Sequence, residues 1–470
     1  MTNWLEMITK LYGEKIAFID KDNRQISYET FFENVECLAE LITTEDSQNI
    51  ILGGSQTYEW IVAFFAIIYC GKTVVSVDVN YSAEKMSLVG TQLESNCILT
   101  TDKQIVKVEN MSVKNIANLQ FEVRKEKNTT RERVLDSNTI VIIQTSGTTG
   151  NPKWVELSSK NILANIFSVK EVVEFKGETI HFLPLHHAFG IVALLVSLSC
   201  GCKIHLLEHS RFLQKKLCEV RVNYLIGVPM VVEALYKLAH GEVQADLKKI
   251  LGKKMNTIVS GGAVLDSKYE TYFQELGIKL INGYGITECS PIISVNSNIY
   301  PEKFKCGSVG KAISCNDIKI IDQDKEGNGE VCVRGDNVFK RYYNESTSLS
   351  NKWYNTKDIG FIDDNGFLFL KGRAKNMILL SNGENIYPEQ LEKVFLESSL
   401  IDEAIIYERE GRIEIEVFSI NGSSSDKFKR AIRTEINHIN KTLPYNQNVS
   451  GIFVREHAFE KTNTNKIIRK

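Results

Sequence analysis

Two hydrophobic periods alternate along the first part of the chain. Phe31, Val35, Leu38 and Ile42 recur at helical spacing within residues 28–42. Residues 57–70 make a more apolar helix, with Gly71 placed as its C-terminal stop. Thr73 to Asp78 is a short apolar run that reads as a strand, Ser82 stands at the N-cap of a further helix, and Ile98-Leu-Thr is the next strand. A charged stretch over 122–137 reads as a solvated connector. The strand Thr139-Ile-Val-Ile-Ile143 and a second short strand, Val155-Glu-Leu, follow it. Strands alternating with helices predict a mostly parallel α/β sheet with helices on its faces.

The same reading continues downstream. Residues 188–207 form a buried helix and a strand, interrupted by Gly201, Lys203 and His205, and Ile61 to Cys70 is too short for a bilayer, so no membrane span is expected. Strands are expected up to Pro184, at Tyr224-Leu-Ile-Gly, from Thr257 to a glycine turn at Gly261-Gly262-Ala263, and from Lys279 into Gly283-Tyr284-Gly285. Residues 316–337 read as short alternating strands, and Asp364-Asn-Gly366 as the turn of a hairpin. After Arg373 the character changes. Pro388 opens a helix carrying Leu391, Val394 and Phe395; strands are expected at 403–408 and 412–419, then a helix with Phe428, Ile432, Ile436 and Ile439 on one face, and a last strand at Ile452-Phe-Val. The expected organisation is a large N-terminal α/β domain over 1–374 and a small α+β domain over 375–470.

A chain of 470 residues exceeds what one core usually serves, which agrees with two domains. Its formal charge of −2 provides no electrostatic footprint for nucleic acid. Ten cysteines lack a metal-ligand rhythm, and Cys200-Gly-Cys202 sits in an apolar context as small buried residues would. With no export signal, free thiols fit a cytoplasmic location.

Three segments carry chemistry. Thr145-Ser146-Gly147-Thr148-Thr149-Gly150-Asn-Pro-Lys153 joins two strands with glycines, hydroxyls and one lysine, the makings of a phosphate cradle; read alone it is equally a polar hairpin loop. Its spacing is not that of a Walker loop, which excludes a P-loop kinase. In Gly283-Tyr284-Gly285-Ile-Thr287-Glu288, Tyr284 has a ring for a base, Thr287 a hydroxyl for a phosphate, and Glu288 a hard oxygen for Mg²⁺. Asp358 can accept from ribose hydroxyls, and Arg373 returns on the paired strand. His186 and His187 lie near a strand's C-terminal end, where α/β sites gather, although a pair packed at a helix start has the same spacing.

Together these motifs resemble the adenylate-forming superfamily, which includes acyl-CoA synthetases, beetle luciferases and peptide-synthetase adenylation domains. The stretch from Cys289 to Asn296 and Gly307 to Lys311 is similar to bacterial fatty acyl-CoA synthetases. The resemblance implies ATP held on the 145–153 loop, Mg²⁺ on Glu288 with help from Thr145, and adenine and acyl pockets lined by the segment with Gly262 and Ala263. It implies a ribose bound by Asp358 and Arg373, an acyl pocket bordered by His187, a hinge at Lys375, and a catalytic lysine at Lys466. The loop around Gly383 would enter the site for a thiol step. Amino-acid-activating members carry an aspartate after a phenylalanine where this chain has the histidines, which argues against an amino acid substrate. Two departures stand out: Lys357 replaces the glycine of Thr-Gly-Asp, and Asn465 replaces the glycine before the lysine.

The expected reaction joins a carboxylic acid, fatty by resemblance, to AMP with release of pyrophosphate. The acyl group then passes to the thiol of CoA or of the phosphopantetheine of an acyl carrier protein, with release of AMP. An aromatic acid is the alternative substrate, and an adenylate-binding protein without turnover is the reading from a different class.

Overall fold

The computed structural model describes every residue except 106, 118, 120–137, 146–152, 241–245, 347–351, 380–384, 410, 421–424, 445–446, 462–466 and 470. The 122–137 connector, Ser146 to Gly150, the Gly383 loop, Asn465 and Lys466 therefore lie outside the described residues. The chain forms two compact units. One contains Met1–Thr145, Lys153–Asp317 and Val333–Tyr354; the other contains Ile318–Cys332 and Asn355–Lys470. The expected boundary at 374/375 thus falls within a stretch that belongs entirely to the second unit.

The first unit is built on three sheets. The six-stranded sheet runs in the order 112–115, 97–100, 49–53, 73–76, 139–144, 154–158. All its neighbours are parallel except the last pair, which is antiparallel. Cys97–Thr100 and Thr73–Ser76 are buried throughout, so both read in sequence as short runs with no polar alternation. The five-stranded sheet runs 224–227, 257–260, 279–285, 292–295, 311–312, and the four-stranded sheet 25–27, 16–19, 203–206, 178–181.

Helices cover these sheets, and their starts follow from local chemistry. Ser27, Thr57 and Ser82 each accept a hydrogen bond from the backbone N–H three residues on, the last confirming the expected cap. Ser158 and Asn161 form a reciprocal capping box. Helix Tyr58–Tyr69 is buried along all twelve residues, and Gly71 follows it at φ +76°. Helix Ala188–Ser199 comes so close to the preceding turn that a Cβ on Gly190 would lie 2.1 Å from the Pro184 carbonyl oxygen. The strand before it ends at His181 rather than Pro184, because the chain turns there to make that approach.

The second unit carries most of a four-stranded sheet, order 316–321, 329–335, 354–362, 368–373, and a three-stranded sheet, order 403–409, 412–418, 451–454. Gly366 takes φ +81° in the expected hairpin turn. Helices Pro388–Leu396 and Asp426–Asn440 lie on the three-stranded sheet, with Phe395, Ile406, Ile415, Ile432 and Ile436 in one core, and with Phe428 and Ile439 at its margin.

Candidate active site

The two ends of the 145–153 connection are paired. Gln144 pairs with Trp154 across antiparallel strands, and the Thr145 N–H donates to the Lys153 carbonyl at 2.8 Å. The Thr145 hydroxyl is 3.3 Å from the main chain of Lys153. Beyond the loop, the strand Trp154–Ser158 meets a segment from far along the chain: Val155 bridges Tyr342, and the Tyr343 N–H donates to Trp154. This pairing sets the Tyr342 ring under the Lys153 ammonium, 4.2 Å from the ring centroid, while Glu345 takes that ammonium at 2.9 Å.

Thr287 and Glu288 lie on a single 3₁₀ turn, Thr287–Cys289, directly after the strand Lys279–Gly285. The turn is held from several sides. The amides of Asn165 and Asn337 each donate to the carbonyls of Cys289 and Ile292 at 2.8–3.2 Å, and the Phe339 N–H donates to the Glu288 carbonyl. At the tip, the Tyr342 hydroxyl donates to Glu288 Oε1 at 2.9 Å and stands 3.0 Å from the Tyr354 hydroxyl. Burial, then the negative charge of Glu288, pushes the Tyr342 hydroxyl far above its ordinary range, so it remains a donor. Among the described residues no group of three or more metal-ligating side chains gathers. A lone carboxylate suits Mg²⁺, which takes one or two carboxylates and completes its octahedron with phosphate oxygens and water. Glu288 fits that ion.

The glycines of the second motif lie within the strand. A Cβ on Gly285 would be 1.9 Å from the Pro291 carbonyl oxygen, so only glycine allows the strand to pass there. Asn282 shares a strand face with Tyr284, and Ser260 is its partner on the neighbouring strand. Both are buried, and neither Asn282 Oδ1 nor Ser260 Oγ has a partner among the described residues. An unpaired amide oxygen beside an aromatic ring is an acceptor suited to an exocyclic amine. Sequence reading missed Asn282; its signal was a polar residue in a buried strand, two positions before the tyrosine. Gly262, at φ +81°, and Ala263 are exposed at the end of strand Thr257–Ser260.

Behind the strand ends is an apolar cavity of about 60 Å³, lined by Val169, Val173, Phe189, Val192, Ile226 and Val259 and reaching Gly261, Gly283 and Gly285. Its lining contains no charged side chain. His187 precedes helix Ala188–Ser199 without capping it and is not among the lining residues; Phe189 takes that place. The His187 ring lies 4.2 Å from that of His186, which is 3.5 Å from Asp78. Burial holds His186 below its ordinary value, which keeps it neutral.

In the second unit Asp358 and Arg373 face each other across the hairpin. Arg373 Nε is 2.8 Å from Asp358 Oδ1, and its Nη1 donates to the Thr356 carbonyl at 3.2 Å. Lys357 adopts φ +62°, the left-handed conformation a glycine would take freely. Its N–H donates to Asn355 Oδ1 at 2.8 Å and its ammonium reaches Glu330 at 3.2 Å, two contacts that hold the residue there. Lys375 lies in a 3₁₀ turn, Ala374–Asn376, where burial, then Arg373 and Arg469, lowers its pKa. Both flanks of Lys466 are tied down. Lys461 bridges Ile467 and contacts Glu403 at 2.6 Å; Arg469 binds both oxygens of Glu392 at 2.5–2.6 Å.

Comparison with known proteins agrees with this architecture. Residues 5–343 match the model of the family described as AMP-binding enzyme. The 2-succinylbenzoate–CoA ligase of Bacillus cereus (strain AH820) is 27% identical over 424 residues, covering 86% of this chain and 84% of that protein. The long-chain-fatty-acid–CoA ligase of Bacillus subtilis (strain 168) is 30% identical over 331 residues, covering 65% and 57%. The O-succinylbenzoate coenzyme A synthetase of Bacillus subtilis, solved with ATP and magnesium ion, superposes with a TM-score of 0.83 at 23% identity, covering 99% and 98%. The chain belongs to the AMP-binding enzyme family and is an adenylate-forming enzyme of the acid–thiol ligase type.

Proposed function

We propose that the protein activates an apolar carboxylic acid, fatty or closely related, as its adenylate and transfers the acyl group to the thiol of CoA. The observation that carries the choice of acid is the cavity behind Gly261 and Gly283, whose lining is apolar apart from Ser260 and carries no charge. A second carboxylate on the substrate would be buried there with no cation to meet it, at a cost of several kcal/mol (~2–7 even for an uncharged polar group). The cavity is smaller than the roughly 150 Å³ that admits a benzene ring, so an acid enters as Phe189 and its neighbours move aside. The aromatic reading is kept by one observation, the similarity to 2-succinylbenzoate–CoA ligases over most of the chain.

In this reading catalysis is positioning and charge neutralisation, since the step brings two anions together. Thr145, Lys153 and the residues between them hold the β- and γ-phosphates. Glu288, with help from Thr145, would hold the magnesium, whose charge would offset that of the phosphates. Asn282 accepts from the adenine amine beside Tyr284, and Asp358 and Arg373 hold the ribose. Lys466 would serve the substrate carboxylate and the α-phosphate in the first step, and a rotation at Lys375 would bring in the Gly383 loop for the second, in which the thiol displaces AMP. The alternative acceptor is a carrier-protein phosphopantetheine. Pyrophosphate release measured over a panel of alkanoic, aromatic and dicarboxylic acids, with and without CoA, tests the reading. Release with monocarboxylic apolar acids, enhanced by CoA with thioester found by mass, supports it; release with dicarboxylates alone overturns the choice of acid.

A further inference from the structure

We propose that Tyr342 is a positioning residue of the nucleotide site, joining the metal carboxylate to the phosphate-loop lysine. The inference rests on the reading of Glu288 as the magnesium ligand, and it assigns a role to a residue outside every motif. Tyr342 makes two unlike contacts. Its hydroxyl donates to Glu288 Oε1 at 2.9 Å, and its ring face receives the Lys153 ammonium 4.2 Å from the centroid. With its one proton committed to Glu288, the hydroxyl accepts from Tyr354 at 3.0 Å, giving the relay Tyr354 to Tyr342 to Glu288. Relayed hydrogen bonds of this kind strengthen one another.

The ring has little freedom. Phe339 stands edge-on to Tyr342 at 4.7 Å and to Tyr354 at 5.3 Å, and the Phe339 N–H holds the Glu288 carbonyl. The backbone bridge to Val155 fixes Tyr342 beside the strand that leaves the phosphate loop. Two consequences follow. One carboxylate oxygen of Glu288 is engaged by the phenol, which leaves Oε2 to bind the ion in a set direction. The Lys153 ammonium, meanwhile, rests between the ring face and Glu345, an exposed carboxylate that an incoming triphosphate can displace. Tyr342 thus keeps the lysine within reach of phosphates bound at Glu288.

The test is binding, independent of any acid. Mn²⁺ in place of Mg²⁺ is titrated by electron paramagnetic resonance onto protein saturated with ATP, alongside calorimetry of ATP in excess EDTA and a melting scan. Tyr342→Phe keeps the ring and loses the hydroxyl. It is expected to weaken Mn²⁺ about tenfold, with metal-free ATP affinity and melting temperature unchanged. Tyr342→Leu also loses the ring face, and is expected to weaken metal-free ATP a further threefold or more. Wild-type Mn²⁺ affinity in Tyr342→Phe overturns the proposal, as does a parallel fall in melting temperature and in both affinities. If Glu288→Gln leaves Mn²⁺ binding intact, the reading of Glu288 fails, and the proposal fails with it. If no acid yields pyrophosphate while these affinities shift as expected, the substrate assignment fails and Tyr342 stands.

Discussion

Replacing Arg469 with methionine isolates a buried charge in the small unit. Glu392 is buried, with 10% of its side chain exposed, and accepts from Arg469 through both oxygens and from the Ile406 N–H at 2.6 Å. Removing the guanidinium leaves one hydrogen bond for a carboxylate in an apolar setting. Breaking one partner of such a pair costs about 3–5 kcal/mol. The carboxyl has an escape, because it can take up a proton. Burial already pushes Glu392 above its ordinary range, against the opposing pull of Arg469. A carboxyl raised on folding contributes its stability fully below the ordinary value of about 4.3, and that contribution is lost as pH rises through the folded pKa. Without Arg469 the folded pKa climbs further, so the loss extends upward in pH. Hydrogen–deuterium exchange of strand Glu403–Arg409, corrected for intrinsic rates, reads the local opening energy. A cost of about 3 kcal/mol corresponds to roughly 150-fold faster exchange at pH 8, with a smaller difference at pH 6. Equal acceleration at both values would refute the reasoning. Replacing both Glu392 and Arg469 with apolar residues should restore most of the protection.

Three further outcomes are expected. Lys466→Ala should reduce acyl-adenylate formation by orders of magnitude and spare thioester formation from supplied acyl-adenylate, as followed by half-reaction kinetics; equal loss in both steps would remove Lys466 from the role given it. Asn282→Leu should weaken ATP about tenfold by calorimetry while raising the melting temperature of the nucleotide-free protein, since it removes a buried acceptor without a partner. Lys357→Gly should be more stable to urea than Lys357→Ala by about 1 kcal/mol, because alanine keeps the left-handed backbone strain that glycine relieves; equal midpoints would show that no strain is held there.

What could be read from sequence depended on whether the cause was local. Ser82 as a cap, Gly366 in a hairpin turn and Ile432 with Ile436 on one helix face each follow from a few neighbouring residues, and each stands as expected. The strand leading into Gly283, Tyr284 and Gly285 was legible, but its continuation through both glycines was not, since it depends on the backbone pairing of Gly285 with Ile292 and on the close approach of the Pro291 carbonyl. Tyr342 was illegible. Its place beside Lys153 comes from a backbone bridge to Val155, and no spacing in Arg341-Tyr342-Tyr343 reveals it. The clamp of Asn165 and Asn337 on the Glu288 turn was hidden for the same reason: two asparagines far apart in the chain converge on the same carbonyls. Lys357 looked in sequence like a departure that endangered a turn. The structure places it at φ +62°, a backbone region that glycine enters freely, with Asn355 and Glu330 as partners.

The helix Tyr58–Tyr69 has a consequence for how the chain is made. Apolar except for Glu59 in its first turn, it is covered partly by Trp4 and Phe31, which stack on or abut Phe65. Those elements depend in turn on residues that emerge much later: Phe18 pairs with Ile204, and the Tyr28 hydroxyl donates to the Cys202 carbonyl at 2.9 Å. At about 5–20 residues per second, the ribosome takes roughly 7–27 s after completing the helix to deliver those partners. Over that interval the nascent chain carries an uncovered helix in which Glu59 is the one charged residue of twelve. The first unit therefore closes late in synthesis, and the rate of translation between residues 70 and 206 governs how long this helix stays open to the wrong neighbour.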